Sequence, residues 1–511
     1  MRGATGAQPP SALTDAEAQR PKHKSRVRMR KILLAIVVAV AAGVGIGIGI
    51  HQTRAHPVRS GGQLWSVPEV DVLTTAPERV IVVGAGVSGL AAARALVENG
   101  IEVVVLEAND HIGGRTRTVD VGESKNVELG AFWVSGIVGN PIADVIEALG
   151  FDVEPDASLE TARVFDEGGS NFNILQYVLY FDLFYRFLEQ GRLQGASLGN
   201  AIDGWIESQG YRGSAARLAR FTARSLFENL EGAPVDLISL EALLTREVLS
   251  GGDHVPVGGW TRLLDYLAEP LDIRTSEPVA TISWDVDGVS VSTARGGYRG
   301  SHVIVTAPLG VIKAGSIDFE SGLPQAKREA IARLGVGDVE KVALSYDEVW
   351  WGNGGGGEGA IFVDNASELV FPYFLDFTSH YGAPTLIGLY SAFFAQQTVQ
   401  ANWTDDEIVS GARAALSAVF GQDPEPVATA LSHWTASPFT LGAYSYVPVG
   451  ATVNDLRTLA QPVDGRVLFA GEATAHEPAG WATVHGAFLS GLREAKRLGV
   501  TDFGIRGTEG H

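Results

Sequence analysis

The feature that most constrains the fold of this 511-residue chain is a strand–glycine–helix unit close to residue 80. The pattern Gly84-x-Gly86-x-x-Gly89 follows a buried strand predicted over Arg79–Val83 and begins an alanine-rich helix predicted over Val87–Glu98. Glycine allows the tight turn and lets a pyrophosphate approach the backbone, where free N–H groups and the helix dipole stabilise its charge. The pattern predicts a dinucleotide site, and a coincidental glycine turn is the alternative.

A second predicted strand, Glu102–Leu106, ends beside Glu107 and completes a βαβ unit. An acid at this position accepts hydrogen bonds from a ribose diol. Much later in the chain, the glycine-rich stretch Gly471–Gly491 follows a strand predicted over Val467–Ala470 and runs into a helix predicted over His485–Leu498. A chain that leaves a nucleotide-binding sheet and later returns to it forms a discontinuous domain, so the sequence predicts an α/β fold.

Composition and charge narrow the class of protein. With 45% hydrophobic and 19% charged residues the chain is typical of a globular enzyme, and its length favours two interleaved domains. The absence of cysteine excludes disulfides, thiolate catalysis and a cysteinyl bond to a cofactor. The eleven histidines form no ligand-spaced cluster, so no metal site is predicted. Residues 1–31 contribute +6 to a net charge of −20, which leaves −26 on an acidic body that repels nucleic acid.

An uncharged segment, Ile32–Ile50, follows the basic run Lys22–Lys31. As a helix it would be about 28 Å long, close to the hydrocarbon thickness of a bilayer. The sequence therefore predicts a single transmembrane anchor, with residues 1–31 as a disordered basic tail and 51–77 as a linker. Basic residues before the anchor favour a cytoplasmic N-terminus and a body outside the cytoplasm. A cleavable signal peptide is the alternative.

The middle of the chain alternates helical and strand-like patterns. Helical periodicity fills Leu198–Leu249, whereas Asp272–Ile282, Val289–Thr293 and Val363–Phe394 have the pattern of strands. The second part of the molecule is therefore predicted to be an α+β substrate domain of mixed sheet plus helices. The predicted division gives a discontinuous Rossmann-like domain of residues 78–135, 250–312 and 452–500, interleaved with a substrate domain of residues 136–249 and 313–451.

Several longer motifs occur in an order that one enzyme family shares: GAGVSGL, GGRTRT, VELGAFWVSGIVGNP, VIVTAPLGVIK, SHWTASPFTLGAYSYVPVG and GEATAHEPAGWATVHGAFLSG. From about Glu78 to Leu498 the chain resembles the flavin-containing amine oxidases, and within that family the polyamine oxidases and the lysine-specific histone demethylases. The resemblance implies FAD in the Rossmann-like domain, and a small-molecule amine and O2 as reactants. It implies noncovalent FAD, because Ala443 stands where covalent monoamine oxidases carry a cysteine.

The resemblance also assigns cofactor contacts residue by residue. The pyrophosphate would be held by the glycine turn, which contributes Gly84, Gly86, Ser88 and Gly89. Glu107 would bind the adenosine ribose, Arg115 would hold the pyrophosphate and approach the flavin, and the backbone of Val279 would contact adenine. The flavin end of the site would be formed by Gly130, Ala131, Trp434, Thr483 and Val484 around the isoalloxazine, with Glu472 at the ribitol.

Three residues are implied to carry the chemistry. Lys341 lies in a predicted strand, on the face opposite Val342 and Leu344, where a lysine taken alone is more often solvent-exposed. In the family, the lysine at this position reaches flavin N5 through a water and assists oxidation of the reduced flavin by O2 to H2O2. Tyr444 and Trp481 match the two aromatic residues that flank the amine while its α-carbon gives a hydride to N5. The resulting imine is hydrolysed to an aldehyde.

Two positions depart from the family pattern. Trp481 stands where tyrosine is usual, and Ser135 stands where polyamine oxidases often have glutamate or histidine, which puts a long polyamine substrate in doubt. Two alternative functions stay open. One is a non-catalytic, membrane-anchored FAD-binding scaffold. The other is an L-amino-acid oxidase, which needs an arginine to clamp the substrate carboxylate. The candidate arginines for that clamp are Arg163, Arg186 and Arg246.

Overall fold

The computed structural model describes most of the chain after the predicted N-terminal segments. The described residues are 65–156, 162–166, 169, 171–172, 174–189, 196–246, 248–352, 359–364, 370–476 and 480–505. The predicted basic tail, the predicted membrane helix Ile32–Ile50 and most of the predicted linker lie outside them. Within the described ranges, no helix is both long enough and apolar enough to cross a membrane.

A parallel sheet brings together strands from distant parts of the chain. Its first two strands have the predicted bounds, and residues 302–305 and 467–469 add two more on the far side of the first. The hydrogen-bonded order across the sheet is Ile273–Arg274, Glu102–Leu106, Arg79–Val83, His302–Val305 and Val467–Phe469. Short apolar runs such as VIVV suit this position, because a parallel sheet is covered on both faces. The predicted mixed α/β fold is confirmed.

Helices cover the parallel sheet, and the most extensive helix–helix packing joins the first helix after the glycine turn to the last helix described. Helix Val87–Glu98 has exactly the predicted bounds and packs against helix Val484–Arg497. Gly491 permits this approach, because a Cβ there would clash with the main chain of Ser88. Two further helices, Thr261–Ala268 and Pro141–Ala148, pack on the same side. The apolar cluster between them is continuous with the parallel sheet.

A larger, mainly antiparallel sheet forms the second part of the molecule. Its order is Ala428–Leu431, Val339–Ser345, Thr385–Ser391, Tyr373–Asp376, Gly359–Asp364, Arg163–Asp166 and Asn171–Phe172. Strand Val339–Ser345 is buried along its whole length, with Val342 and Leu344 in one apolar cluster and Ala343 in the opposite one. The predicted facing of Lys341, away from Val342 and Leu344, follows from this alternation.

Smaller sheets and the remaining helices surround these two sheets. The smaller sheets pair Gly296–Gly300, Val289–Thr293, Val279–Trp284 and Asp318–Phe319; Val134–Ser135, Asp253–Pro256 and Val153–Pro155; Thr118–Val121 and Ser124–Glu128; and Gly335–Gly337 and Tyr444–Tyr446. The other helices are Ile174–Glu189, Leu198–Ser208, Gly213–Glu231, Leu240–Thr245, Leu309–Lys313, Gln325–Arg333, Thr378–Tyr381, Ala392–Gln400, Asp405–Phe420, Val453–Ala460 and the 3₁₀ turn Glu472–Thr474.

Two predicted strand segments need correction. The segment Asp272–Ile282 is divided between two sheets, because Ser276 adopts a positive φ of 55° and Pro278 follows it, so the strand cannot run through. The segment Val363–Phe394 ends in a helix that starts at Ala392, whose φ is 51°. Short apolar runs do not distinguish a strand from a buried helix start by periodicity alone.

Candidate active site

A cavity of about 650 Å³ opens at the carboxyl ends of the parallel strands. The residues just after four neighbouring strands line it, namely Gly84, Glu107, Thr306 and Gly471. In open parallel sheets this edge is where ligands bind, because the loops that follow the strands converge there. The cavity continues from this edge to the large sheet, where Lys341 and Leu389 line it.

The glycine turn is shaped by close approaches that exclude side chains. Gly84 has a φ of 105°, and a Cβ there would lie 2.6 Å from the hydroxyl oxygen of Thr306. A Cβ on Gly89 would clash with the carbonyl of Gly84, so this glycine holds the helix against the turn. Gly86 faces open space, since a Cβ there would meet only the carbonyl oxygen of Gly113, at 3.9 Å.

The helix that follows this turn begins at Val87 with Gly86 as its N-cap, and no side chain of the described chain caps it. Its first N–H groups therefore remain available at a position that borders the cavity. An uncapped helix N-terminus behind open space fits a phosphate group, because the N–H groups and the helix dipole both favour negative charge.

Glu107 lies at the end of the second strand, buried and beside the cavity. One carboxylate oxygen accepts a hydrogen bond from the backbone N–H of Ala85 at 2.7 Å. The other accepts from the backbone N–H and the side-chain amide of Asn109 at 2.8 and 2.9 Å. These bonds fix the carboxylate against the glycine turn, and its contact with a ribose stays a prediction.

Arg115 and Glu472 form an ion pair in the middle of the cavity wall. Nη1 of Arg115 lies 2.9 Å from Oε1 of Glu472 and donates to the carbonyl of Ala443 at 2.8 Å. Glu472 also accepts from the hydroxyl of Ser445 at 2.6 Å and from the backbone N–H of Ala482 at 3.0 Å. The pair therefore ties together three distant segments of the chain around the cavity.

Lys341 is buried and points its ammonium group at the loop after strand Ser124–Glu128. Nζ donates to the carbonyl oxygens of Gly130 and, at 3.4 Å, of Glu128. It also lies 3.0 Å from the ring centroid of Phe132. Burial lowers the pKa of Lys341 well below its usual value, and the charge of Glu128 partly opposes that shift.

Two aromatic residues predicted at the flavin end line the cavity. The phenol of Tyr444 donates to the carbonyl of Asn229 at 2.9 Å, and burial raises its pKa, so it stays neutral. The indole of Trp434 donates to the carbonyl of Leu129 at 3.1 Å. Both hydrogen bonds fix the rings on the wall that also carries Lys341.

Trp481 has surroundings that differ from those of its predicted partner Tyr444, although Arg246 lies near both. Its indole is buried in the apolar cluster that contains Ala242 and Val447, it is not among the described residues that line the cavity, and within those residues its Nε1 has no hydrogen-bond partner. The guanidinium of Arg246 lies 5.1 Å from its ring centroid and donates to its carbonyl at 2.8 Å. The pairing of the two aromatic rings around a substrate stays a prediction.

The structure brings most of the predicted site residues together. Fourteen of the sixteen line the cavity, the exceptions being Gly89, which supports the turn from behind, and Trp481. Sequence reasoning missed several neighbours, including Thr306 in VIVTAP, Glu128 in VELGAF and Asn229. Thr306 and Glu128 lie inside motifs that the sequence offered, whereas Asn229 comes from a helix with no such signal. Among the described residues, no group of three histidine, aspartate or glutamate side chains could hold a metal ion.

Comparison with known proteins shows which family the chain is similar to. The family model described as "Flavin containing amine oxidoreductase" matches residues 87–499. The chain is 32% identical to "Polyamine oxidase 4" of Oryza sativa subsp. japonica over 86% of this chain and 91% of that protein. It is 32% identical to "Probable polyamine oxidase 4" of Arabidopsis thaliana, over 81% of this chain and 85% of that protein.

A second group of relatives is longer than this chain. The identity to "Lysine-specific histone demethylase 1 homolog 1" of Arabidopsis thaliana is 33% over 83% of this chain, which spans only 52% of that protein. The match to the family model covers the glycine-turn helix, the buried lysine and the C-terminal helix, which are the elements that enclose the cavity. The chain therefore belongs to the flavin-containing amine oxidoreductase family.

Proposed function

We propose that the protein is an FAD-dependent amine oxidase that converts a primary or secondary amine and O2 into an imine and H2O2, the imine then being hydrolysed to an aldehyde. The observation that carries the proposal is the position of Lys341: a buried amine beside the same cavity that begins at the uncapped glycine-turn helix. A nucleotide site alone would fit many proteins, whereas a buried cation at its far end suits reduction of O2.

The cofactor would be FAD, held without a covalent bond. The glycine turn and Arg115 would hold its pyrophosphate, Glu107 its adenosine ribose, and Glu472 its ribitol end. The wall formed by Gly130, Ala131, Trp434, Thr483 and Val484 would hold the ring. When bound, the flavin would supply the two-electron acceptor that amino-acid side chains lack.

Lys341 would contribute charge at the reacting end of the cavity. Burial lowers the pKa of Lys341, whereas negative charge that develops nearby raises it and favours the ammonium form. A fixed cation in a water-poor site stabilises developing negative charge strongly, because little solvent has to reorganise. The ring of Phe132 and the two carbonyls keep Nζ of Lys341 in one place.

The substrate end of the cavity is mainly apolar. Its walls include the ring of Tyr444 and a set of aromatic and aliphatic side chains: Trp133, Tyr185, Phe227, Leu230, Leu243, Val248 and Leu389. Such walls suit a neutral amine. Moving it out of water costs little solvation free energy when the cavity also holds the rest of the molecule. The printed names of the relatives include polyamine oxidases, which supports an amine of that general class as substrate.

An L-amino-acid oxidase is the second candidate, and one observation bears on it. Arg246 lines the cavity, but its guanidinium is paired with the buried Glu231 at 2.7 Å. An arginine neutralised in this way is a poor clamp for a carboxylate. Arg163 and Arg186 bond to the carbonyl of Trp351 and to Asp182, and neither lines the cavity. The geometry thus favours an amine without a carboxylate.

Anaerobic reduction of the bound flavin tests the proposal. We expect the purified full chain to be yellow and to be bleached by at least one polyamine or arylalkyl monoamine, with H2O2 formed when air is admitted. Bleaching by amino acids but not by amines would favour the L-amino-acid oxidase. A yellow protein that no amine and no amino acid bleaches would favour a non-catalytic scaffold.

We also propose membrane attachment through Ile32–Ile50, with the body outside the cytoplasm. The support is the uncharged segment and the basic residues before it. Deletion of residues 32–50 should move the protein from the membrane fraction to the soluble fraction, and protease added to intact cells stripped of their outer layers should reach the body. Unchanged fractionation after the deletion would contradict the anchor.

A further inference from the structure

Glu128 is a buried acid that the proposed mechanism leaves unused. Glu128 is 1% exposed. It is the last residue of strand Ser124–Glu128 and directly precedes the loop that lines the cavity. Oε1 accepts hydrogen bonds from the hydroxyl of Thr118 at 2.6 Å and from the backbone N–H of Trp260 at 3.1 Å. Oε2 has no partner within the described part of the chain. A buried carboxylate oxygen without a partner is costly, so its retention calls for a reason.

The same short segment holds the amine of Lys341. Its Nζ contacts three groups of this segment in succession, the carbonyls of Glu128 and Gly130 and the ring of Phe132. Strand Val339–Ser345 therefore presents Lys341 to the end of strand Ser124–Glu128, and the two ionisable groups share one dry region. In such a region a charge acts over a longer distance than in water.

The ionisable groups around this pair are few. Among the described residues, Glu128 is the charged side chain that affects the pKa of Lys341, and it raises that pKa while burial lowers it. Burial raises the pKa of Glu128 to about 7, although Thr118, Lys341 and Trp260 oppose the shift. The phenol of Tyr381 also faces Glu128, and burial raises its pKa, so it stays neutral. The charge on Glu128 thus changes close to physiological pH while its other neighbours keep theirs.

We propose that Glu128 is a positioning residue that keeps Lys341 in its ammonium form while the flavin is reoxidised. The proposal rests on the proposed function and adds the group that controls its buried cation. Without a carboxylate nearby, burial alone would favour the neutral amine, which cannot stabilise negative charge. In the described part of the chain Oε2 has no donor, so the charge of the carboxylate is offset only by the two donors to Oε1.

Glu128→Gln tests this directly, and Glu340→Gln is the matched control. Glu340 is also a buried acid and precedes Lys341 on the same strand, so its side chain faces the other way. Its oxygens are satisfied by the hydroxyl of Ser432 at 2.5 Å and the backbone N–H of Thr435 at 2.6 Å. Both substitutions remove one buried charge and keep the size of the side chain.

The first measurement is the rate at which O2 reoxidises the flavin, as a function of pH. The reoxidation rate should fall above the pH at which Lys341 loses its proton. In E128Q we expect that pH to be lower by about one unit, and the rate at pH 8 to be lower roughly tenfold. E340Q should leave that pH in place. Anaerobic bleaching by the amine should slow far less than reoxidation in E128Q, because negative charge on oxygen develops only in the step with O2. A profile of E128Q that overlays the wild type would overturn the proposal.

The second measurement does not depend on turnover. The midpoint potential of the bound flavin should fall in E128Q and in Lys341→Met, because a nearby cation favours the electron-rich state. In the double variant the two effects should not add, since Glu128 acts through Lys341. A further fall of the potential when E128Q is added to K341M would contradict that coupling.

If E128Q does not fold, Thr118→Val provides the same test from outside the pair. It removes one donor from Oε1 and keeps the shape of the side chain, so Glu128 should hold its proton to higher pH. The pH above which the rate falls should then move down, as in E128Q but by less, and an unmoved profile would overturn the proposal. Failure of the proposed function looks different, because then no amine would bleach even the wild-type flavin.

Discussion

Among the described residues two lysines are buried, Lys327 and Lys341, and their immediate surroundings are similar. Lys327 donates to the carbonyls of Thr458, Leu459 and Gln461 at 3.2, 2.6 and 2.7 Å, with Nζ 4.0 Å from the centroid of the Phe469 ring. Lys341 likewise donates to main-chain carbonyls beside an aromatic ring. Lys327 closes the C-terminal end of helix Val453–Ala460, whereas Lys341 borders the cavity.

Each lysine also has a buried glutamate in its field. The acid near Lys327 is Glu494. Its Oε1 lies 2.6 Å from Nε of Arg493, and its Oε2 lies 2.9 Å from Nε of Arg497. The acid near Lys341 is Glu128, which keeps one oxygen without a partner among the described residues. A buried carboxylate with both oxygens paired, such as Glu494, holds the fold together. One with an unpaired oxygen beside a cavity, such as Glu128, can still respond to a reaction there. Burial and a displaced pKa alone would not have separated the two sites.

Removing each amine separates the two roles most strongly. Lys341→Met should slow reoxidation of the flavin by O2 by about 100-fold or more, because it removes a fixed charge from the reacting end of the cavity. Lys327→Met should leave that rate nearly unchanged in the folded enzyme. Stopped-flow mixing of reduced protein with O2 measures both, and flavin content should be normal in each variant. Equal loss of flavin binding and of rate in K341M would remove the lysine from the mechanism.

Stability should show the opposite order. Lys327→Met leaves the carbonyls at the end of helix Val453–Ala460 without their donor, so the free energy of unfolding should fall by about 1–3 kcal/mol. Lys341→Met should change it less, because a methionine fits an apolar slot without the cost of burying an amine. Urea denaturation followed by circular dichroism measures the difference. A larger loss in K341M than in K327M would mean that the two roles are assigned the wrong way round.

The pH dependence of stability should sharpen the comparison further. Burial lowers the pKa of Lys327 from its ordinary 10.5 to about 7, so above pH 7 the unfolded chain binds a proton that the folded chain lacks. The stability of the wild type should therefore rise with pH relative to K327M, by up to about 1.4 kcal/mol per pH unit between pH 7 and 9. Below pH 7 the difference should be flat. A constant difference across this range would show that Lys327 stays charged.

The smallest effect concerns the two rings. Phe132→Leu removes the aromatic face from Lys341, and Phe469→Leu removes it from Lys327. A cation–π contact contributes about 0.5–1 kcal/mol, so F132L should slow reoxidation a few-fold. F469L should lower the thermal midpoint and leave the rate in place. Slowing by F469L as large as that by F132L would show that the rings act through general packing.

Local patterns in the sequence predicted the strands and the helix around the glycine turn almost completely. The strand Arg79–Val83, the helix Val87–Glu98 and the strand Glu102–Leu106 have exactly the expected bounds. The helix Asp405–Phe420 begins with a capping box of the same local kind, in which the backbone N–H of Thr404 donates to Glu407 at 2.7 Å. These features depend on neighbours in sequence, so periodicity and turn chemistry suffice to find them.

The substrate half depends on contacts that sequence spacing does not encode. Asn229 meets Tyr444, and Arg246 meets Trp481, across more than two hundred residues. The placement of Trp481 outside the cavity wall follows from the packing of such distant segments, which no local pattern reports. Glu128 was part of a quoted motif, yet its unpartnered oxygen becomes visible only when Thr118, Trp260 and Lys341 are seen around it.

The close packing of helix Val87–Glu98 on helix Val484–Arg497 has a consequence for the order of assembly. The hydroxyls of Ser88 and Ser490 lie 3.1 Å apart, so the support of the glycine turn includes residues synthesised 402 positions later. A nascent chain adds residues from the N-terminus, and domains fold as units once their parts have emerged. The face of the first helix that packs on the last helix therefore stays uncovered until the C-terminal residues have been synthesised. Stable capture of the cofactor becomes a late event, and chaperones have a defined interval in which this face needs protection.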